Sequence, residues 1–176
     1  MYNLHRYSNQ NYQLYLNDEI ASLTKDQISS IIKKKLKRNP AIRKLFNQFD
    51  ISLDKLDNLR ISIVPLQGKH AITDGKEMKL DENLFKKRYD FFTNFMFLPV
   101  HELVHHLSRI KEQQAYFNDP EEVLGFVAAI AYYMSEGKNK QQIWNDIFPR
   151  INWHFNDEKN AKLFFERCTR KAKQLI

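Results

Sequence analysis

The stretch from Val123 to Met134 is the longest uncharged apolar run in the chain, and it constrains any fold the chain can adopt. A bilayer-spanning helix needs about 20 apolar residues, so this run is too short to cross a membrane. It is apolar nearly all round instead of along one stripe, which reads as a helix buried on every side within a soluble domain. Asp119-Pro120 opens that helix, and it runs to about Glu136 with Gly137 as its stop. Such a helix has to be wrapped by other elements. At 176 residues, 43% hydrophobic and 13% aromatic, the chain has enough material for one domain with a real core, which excludes a largely disordered chain.

The wrapping elements can be read from local pattern. Residues 1–23, rich in Asn, Gln and Tyr, read as an arm or a strand. Thr24 and Gln27 form a capping box, and Ile28, Ile31, Ile32 and Leu36 follow at helical spacing. Asn39-Pro40 ends that helix and caps a second one, whose apolar stripe is Ile42, Leu45, Phe46 and Phe49. Leu59, Ile61 and Ile63 then alternate with Arg60 and Ser62, predicting a half-buried strand that ends at Pro65. Asp74-Gly75 is a hairpin signal, with strands expected near 69–73 and 76–80. Together these predict a small, mostly antiparallel sheet. Phe85, Tyr89, Phe92, Phe95 and Met96 lead into a further helix, which Pro99 must kink or restart. The segment 107–119 is polar and contains a loop, and helices are expected over 139–148 and 157–174. The fold class is α+β in one domain: a core over about 59–136, an N-terminal helical extension over 24–49, and C-terminal helices over 139–174.

Charge and cysteine usage narrow the function classes. Lys and Arg total 28 against 21 Asp and Glu, a net charge of +7 that invites a nucleic-acid reading. The charge gathers in Lys33-Lys34-Lys35-Leu36-Lys37-Arg38 with Arg43 and Lys44, and again in Arg167, Arg170, Lys171 and Lys173. No nucleic-acid signature accompanies either set, and the first lies opposite an apolar stripe, so a solvated helix face is the favoured reading over nucleic acid. The single cysteine, Cys168, excludes a disulfide framework and any zinc site built on several thiolates. The first ten residues offer no apolar signal-peptide core, so a cytoplasmic, reducing compartment is expected.

Three of the six histidines fall between positions 101 and 106. In His101-Glu102-Leu103-Val104-His105, two imidazoles four residues apart share a helix face, where both can reach one Zn²⁺ at about 2.0–2.1 Å. Glu102 is rotated about 100° from His101, so it can serve a water as general base instead of ligating. A catalytic zinc needs a third protein ligand, and Glu121 and Glu122 open the buried helix downstream. Acids also favour a helix N-terminus for electrostatic reasons alone. His106 points about 100° away from His105, and His5 and His70 have no supporting context. Cys168 sits on a late charged helix with no histidine to pair with it.

His101-Glu102-Leu103-Val104-His105 followed by Tyr116-Phe117-Asn118-Asp119-Pro120-Glu121-Glu122 resembles the zincin metallopeptidases of the glutamate-zincin type, and in particular small peptidase-like proteins of phages and bacteria. The resemblance covers about residues 59 to 136. It implies a zincin-like core of sheet, motif helix and third-ligand helix, with zinc held by His101, His105 and Glu122 and with Glu121 as the fallback ligand. Family members often carry another acidic residue and an alanine just after; this chain has Leu124 and Gly125 there. The resemblance further implies a peptide substrate laid along a sheet edge, and a location in a host cytoplasm or a virion. Glu102 would be the catalytic base. A donor beside the metal would steady the oxyanion, with Tyr116, Tyr132, Tyr133 and His154 as candidates, although Tyr132 and Tyr133 read better as core aromatics. The function expected is zinc-dependent peptide hydrolysis. The alternatives are a binding or structural protein on an inactive zincin scaffold, and a basic nucleic-acid-binding accessory protein.

Overall fold

A computed structural model describes residues 22–74, 77–86, 91–108 and 120–176, with Trp153 and His154 described in backbone only. Among the described residues the first element is α1 (Lys25–Arg38). Thr24 Oγ1 accepts from Gln27 N–H at 3.3 Å, and Gln27 Oε1 accepts from Thr24 N–H at 2.8 Å, completing the capping box read from the sequence. Ile28, Ile32 and Leu36 are fully buried, and the lysines take the outer side. Two of those lysines are partnered by one short element: Lys33 Nζ donates to Asp57 O at 2.9 Å, and Lys37 Nζ meets Asp57 Oδ2 at 2.5 Å.

Asn39 begins α2 (Pro40–Gln48), accepting from the Ala41 and Ile42 amides at 3.1 and 3.3 Å. It is itself buried. Its Nδ2 donates across the molecule to Tyr132 O, Ser135 Oγ and Glu136 Oε1 at 3.4, 2.7 and 3.0 Å. One side chain therefore caps one helix and ties it to the far end of another. A short α3 (Lys55–Asn58), which local pattern did not predict, leads into the sheet.

The sheet contains β1 (Arg60–Val64), β2 (Ala71–Thr73) and β3 (Glu77–Asp81) in the order β1-β3-β2. It is mixed, which corrects the mostly antiparallel expectation. β2 and β3 pair antiparallel, with Ala71 opposite Leu80, but β1 and β3 pair parallel, with Ile61 opposite Met78 and Ile63 opposite Leu80. The chain reverses twice between β1 and β3, after Pro65 and after Asp74, so β3 leaves in the direction of β1. β3 takes the centre because it carries Met78 and Leu80, both fully buried, whereas Ile61, Ile63 and Ala71 keep slight exposure. The hairpin tip at Gly75 and Lys76 lies outside the described residues; beside it, Asp74 Oδ1 accepts from Glu77 N–H at 2.9 Å.

After a 3₁₀ turn at Glu82–Phe85, a π-type segment at Phe91–Phe95 precedes α4 (Phe97–Leu107). The helix restarts here, and Pro99 costs it nothing. Pro99 is the third helical residue, where an N–H would have no intrahelical partner in any case. The apolar run is α5 (Pro120–Ser135), with every residue from Gly125 to Tyr133 buried and α4, α2 and the last two helices packed around it. Gly137 closes it at φ +85°, a conformation that suits glycine at this position, with Lys138 N–H donating back to Tyr133 O at 3.0 Å.

Two further helices follow, α6 (Lys140–Phe155) and α7 (Glu158–Ala172). The expected end of α6 at residue 148 is a correction, since the helix runs through Pro149. The stripe Ile143, Ile147 and Ile151 is fully buried on both sides of that proline, and its burial outweighs the one backbone hydrogen bond the proline forgoes. The buried apolar residues from all these elements join into a single cluster. No helix among the described residues is long and apolar enough to cross a membrane.

Candidate metal centre

α4 and α5 pack along their lengths, and the histidine motif faces the acidic first turn of α5. His101 Nε2 lies 3.1 Å from His105 Nε2 and 3.1 Å from Glu122 Oε2, and His105 Nε2 lies 3.2 Å from Glu122 Oε1. The two imidazole nitrogens and the Glu122 carboxylate thus form a triangle, with one carboxylate oxygen facing each nitrogen. Tetrahedral zinc with bonds of about 2.0–2.1 Å keeps its ligand atoms about 3.3 Å apart, close to the 3.1 Å between the two imidazole nitrogens, and one ligand atom from each of the three residues lies within 4.8 Å of the others. The donor set of two imidazoles and one carboxylate also suits that ion. Among the described residues these three form the group able to hold a metal.

The surroundings fix the ligands. His101 is 7% exposed, its ring edge-on to Phe126 with centroids 4.8 Å apart. The ring also lies against Gly125. A Cβ built on Gly125 would lie 2.6 Å from His101 Nδ1 and 2.7 Å from Cε1, so only a residue without a side chain lets α5 approach the ring this closely. Glu121 is not a corner of the triangle. It sits behind it, its carboxylate 3.6 Å from His105 Nδ1, where it holds the ring by charge from its far side.

The electrostatics follow from these contacts. Burial works against charge on His105, but the hydrogen-bonded Glu122, with Glu102 and Glu121 nearby, holds its pKa up at about 9. Burial also works against charge on Glu122, yet hydrogen bonds from both imidazoles hold it well below the usual carboxylate range. Charge and hydrogen bonding thus draw Glu122 and the two imidazoles together. Glu102 behaves differently. Burial pushes its carboxyl up, the positive character of His101, His105 and Arg150 pulls it down, and burial prevails.

The remaining candidates fall elsewhere. Tyr133 is a core residue whose hydroxyl accepts from Phe97 N–H at 3.3 Å, capping α4 at the end away from His105, and Tyr132 is buried beside it. Neither is an oxyanion donor. Burial raises the pKa of both hydroxyls. Tyr116, and with it the Phe117-Asn118-Asp119 segment, lies outside the described residues, as do His5 and the side chain of His154. His106 turns away from the triangle; its Nδ1 is buried with no hydrogen-bond partner among the described residues, and burial lowers its pKa. His70 is exposed on the loop before β2. Cys168 is fully buried, and burial pushes its thiol up to about 12, which makes it inert.

Gly125 is the site residue that local reading missed. Its signal was present: a lone glycine in a buried, alanine-rich helix costs about 1 kcal/mol relative to alanine, so it calls for a packing reason. A comparison of the chain with protein-family models, curated proteins and solved structures gives no match.

Proposed function

We propose that this chain is a zinc-dependent peptidase with a glutamate-zincin-like core made of the sheet, α4 and α5. The observation that carries the reading is the triangle of His101 Nε2, His105 Nε2 and the Glu122 carboxylate, whose two oxygens lie 3.1 and 3.2 Å from the two nitrogens, with the buried carboxyl of Glu102 on the same helix as the histidines. Zinc bound there would supply Lewis acidity, polarising a carbonyl and lowering the pKa of water beside it.

The chain's own residues do the rest. Glu102 follows His101 directly and points about 100° around α4 from it, so its carboxylate flanks the donor triangle instead of joining it. Its role is to accept a proton from the attacking water at a carboxylate oxygen and pass that proton to the leaving amine. A raised pKa suits a carboxyl that must keep the proton between those two events. Glu121 orients His105, and Gly125 with Phe126 orients His101.

The sheet supports an extended substrate on one side only. Ser29 Oγ of α1 donates to Ile61 O at 2.9 Å and covers the outer edge of β1. β2 is the other edge, it packs beside α4, and no strand lies beyond it among the described residues. A peptide adding to β2 would run past the donor triangle. A free, buried Cys168 agrees with a reducing compartment.

The test begins with metal content. The purified chain is expected to hold about one zinc per molecule, as structural precedent for three-ligand sites requires. His105→Ala should lose it. Glu102→Gln should keep the metal and abolish cleavage of a peptide library. A wild-type chain that takes up no zinc from a zinc-buffered solution refutes the metal centre. One that binds zinc but cleaves nothing leaves the scaffold reading in its place.

A further inference from the structure

A cavity of about 380 Å³ opens beside the candidate centre, lined by Phe95, Phe97, Leu98, Pro149, Arg150 and Asp146, with Gly68 and His70 at the loop before β2. It belongs to the same neighbourhood as the proposed base. Leu98 precedes Glu102 by one helical turn on α4, and Arg150 on α6 is near enough for its charge to act on Glu102. The volume is at the low end of small-molecule sites, suited to one or two amino-acid residues and too small for a long strand.

The charges in the cavity are unequally matched. Asp146 is taken up by Lys138, whose Nζ lies 2.5 Å from Asp146 Oδ2 and also donates to Thr93 O. Both side chains of that pair are more than four-fifths buried. Arg150 is half-buried, and among the described residues it makes no ion pair or hydrogen bond. A guanidinium presents a planar fork of donors that matches a carboxylate in two parallel hydrogen bonds. Around it the walls are two phenylalanines, a leucine and a proline. The cavity therefore presents, at the side of an apolar recess, one guanidinium that no side chain among the described residues holds in an ion pair or hydrogen bond.

We propose that this cavity is the subsite for the free carboxylate end of a peptide whose last side chain is apolar or aromatic, with Arg150 as the partner of the carboxylate. Calling that ligand a substrate rests on the peptidase reading; the carboxylate site itself does not. If both hold, the bond cleaved lies at or near the C-terminus: the amide C–N bond breaks, the hydroxyl of water goes to the acyl carbon, and a proton goes to the leaving nitrogen. The protein is then a trimmer of chain ends more than a cutter of internal bonds.

The test separates the two ideas by working first without metal. N-acetyl-L-phenylalanine and its carboxamide are titrated into the full chain in excess chelator, followed by calorimetry. The acid should bind about ten- to a hundredfold more tightly than the amide, the range expected for a hydrogen-bonded charge. Arg150→Met should remove that preference with an unchanged circular dichroism spectrum, and Arg150→Lys should restore part of it. Equal binding of acid and amide, no binding of either, or full binding of the acid to Arg150→Met overturns the proposal, whatever the metal content proves to be. Arg150-dependent binding in a chain that takes up no zinc upholds the carboxylate site and sinks the peptidase reading alone. With zinc restored, a free C-terminus should be required for cleavage; equal cleavage of amidated peptides overturns the assignment to chain ends.

Discussion

Replacing Gly125 by alanine sets two effects of opposite sign against each other. In a helix interior the exchange ordinarily stabilises by about 1 kcal/mol. Here the new Cβ would stand 2.6, 2.7 and 3.0 Å from three ring atoms of His101. Carbon atoms in ordinary contact keep about 3.5–4.0 Å, so the imidazole has to withdraw by roughly 1 Å. It cannot do so freely, because it is 7% exposed and Phe126 packs against it. Overpacking of this size costs about 1–3 kcal/mol, so the metal-free fold should lose between about 0 and 2 kcal/mol after the helical gain is counted. Metal ligation is far less tolerant. Ligand distances hold to within about 0.2 Å, so a displaced His101 should lower zinc affinity at least ten- to a hundredfold. Denaturation in chelator gives the first quantity, and competition with a chromophoric chelator gives the second. Gly137→Ala is the control. It strains a φ of +85° but its Cβ meets nothing within 4 Å, so it should cost stability and leave zinc affinity unchanged. If Gly125→Ala binds zinc as tightly as the wild type, the argument that this glycine positions His101 is wrong.

Three further outcomes are expected. Asn39→Asp retains a good N-cap acceptor but places a carboxylate oxygen against Tyr132 O and Glu136 Oε1, where Nδ2 now donates; it should cost about 2–4 kcal/mol in urea denaturation, and a cost below that of a surface substitution would refute the bridging role. Burial works against charge on Asp81, but hydrogen bonds from the Asn83 amide, the Asn83 side chain and Leu66 N–H outweigh it and leave its pKa below the ordinary aspartate value of 3.8. A depressed folded pKa means that this contribution is present above pH 3.8 and is lost as pH falls below it, so Asp81→Asn should flatten the acid limb of the stability curve and leave its neutral region lower. Cys168 should fail to react with a thiol reagent in the folded protein at pH 8 and react fully in denaturant; fast labelling of the native state would contradict its burial and its pKa of about 12.

What could be read in advance was what is locally encoded. Thr24 with Gln27, Asn39 with Pro40, and the alternation of Ile61 and Ile63 each solve a problem within a few residues of themselves, and each element lies where its pattern put it. The spacing of His101 and His105 is local too, a property of the helix period. The misreadings share a different cause. Pro149 argued for a helix end by its own chemistry, and only the burial of Ile151 beyond it decides otherwise. The parallel pairing of β1 with β3 depends on which strand wins the centre of the sheet, a competition for burial that no single strand records. Gly125 acquired its meaning from a ring 24 positions earlier in the chain. The triangle lies between these cases: its two histidines were legible as a pair, whereas the choice of Glu122 over Glu121 came from the family resemblance and, in the structure, from the angle at which α5 meets α4.

The strand order also dictates a sequence of events during folding. β1 emerges first from a growing chain, yet its hydrogen-bonding partner is β3, and β2 comes between them in sequence. Among the described residues β1 has no strand to pair with until β3 has been made and has turned back from β2. The β2–β3 hairpin can close on its own within microseconds, whereas the parallel pairing must wait for that hairpin to be delivered. Until then, the early companion available to β1 is α1, already synthesised, which reaches it through Ser29. α1 thus offers that strand edge a surface through Ser29. Variants that loosen it should slow folding and promote aggregation before they measurably weaken the finished protein.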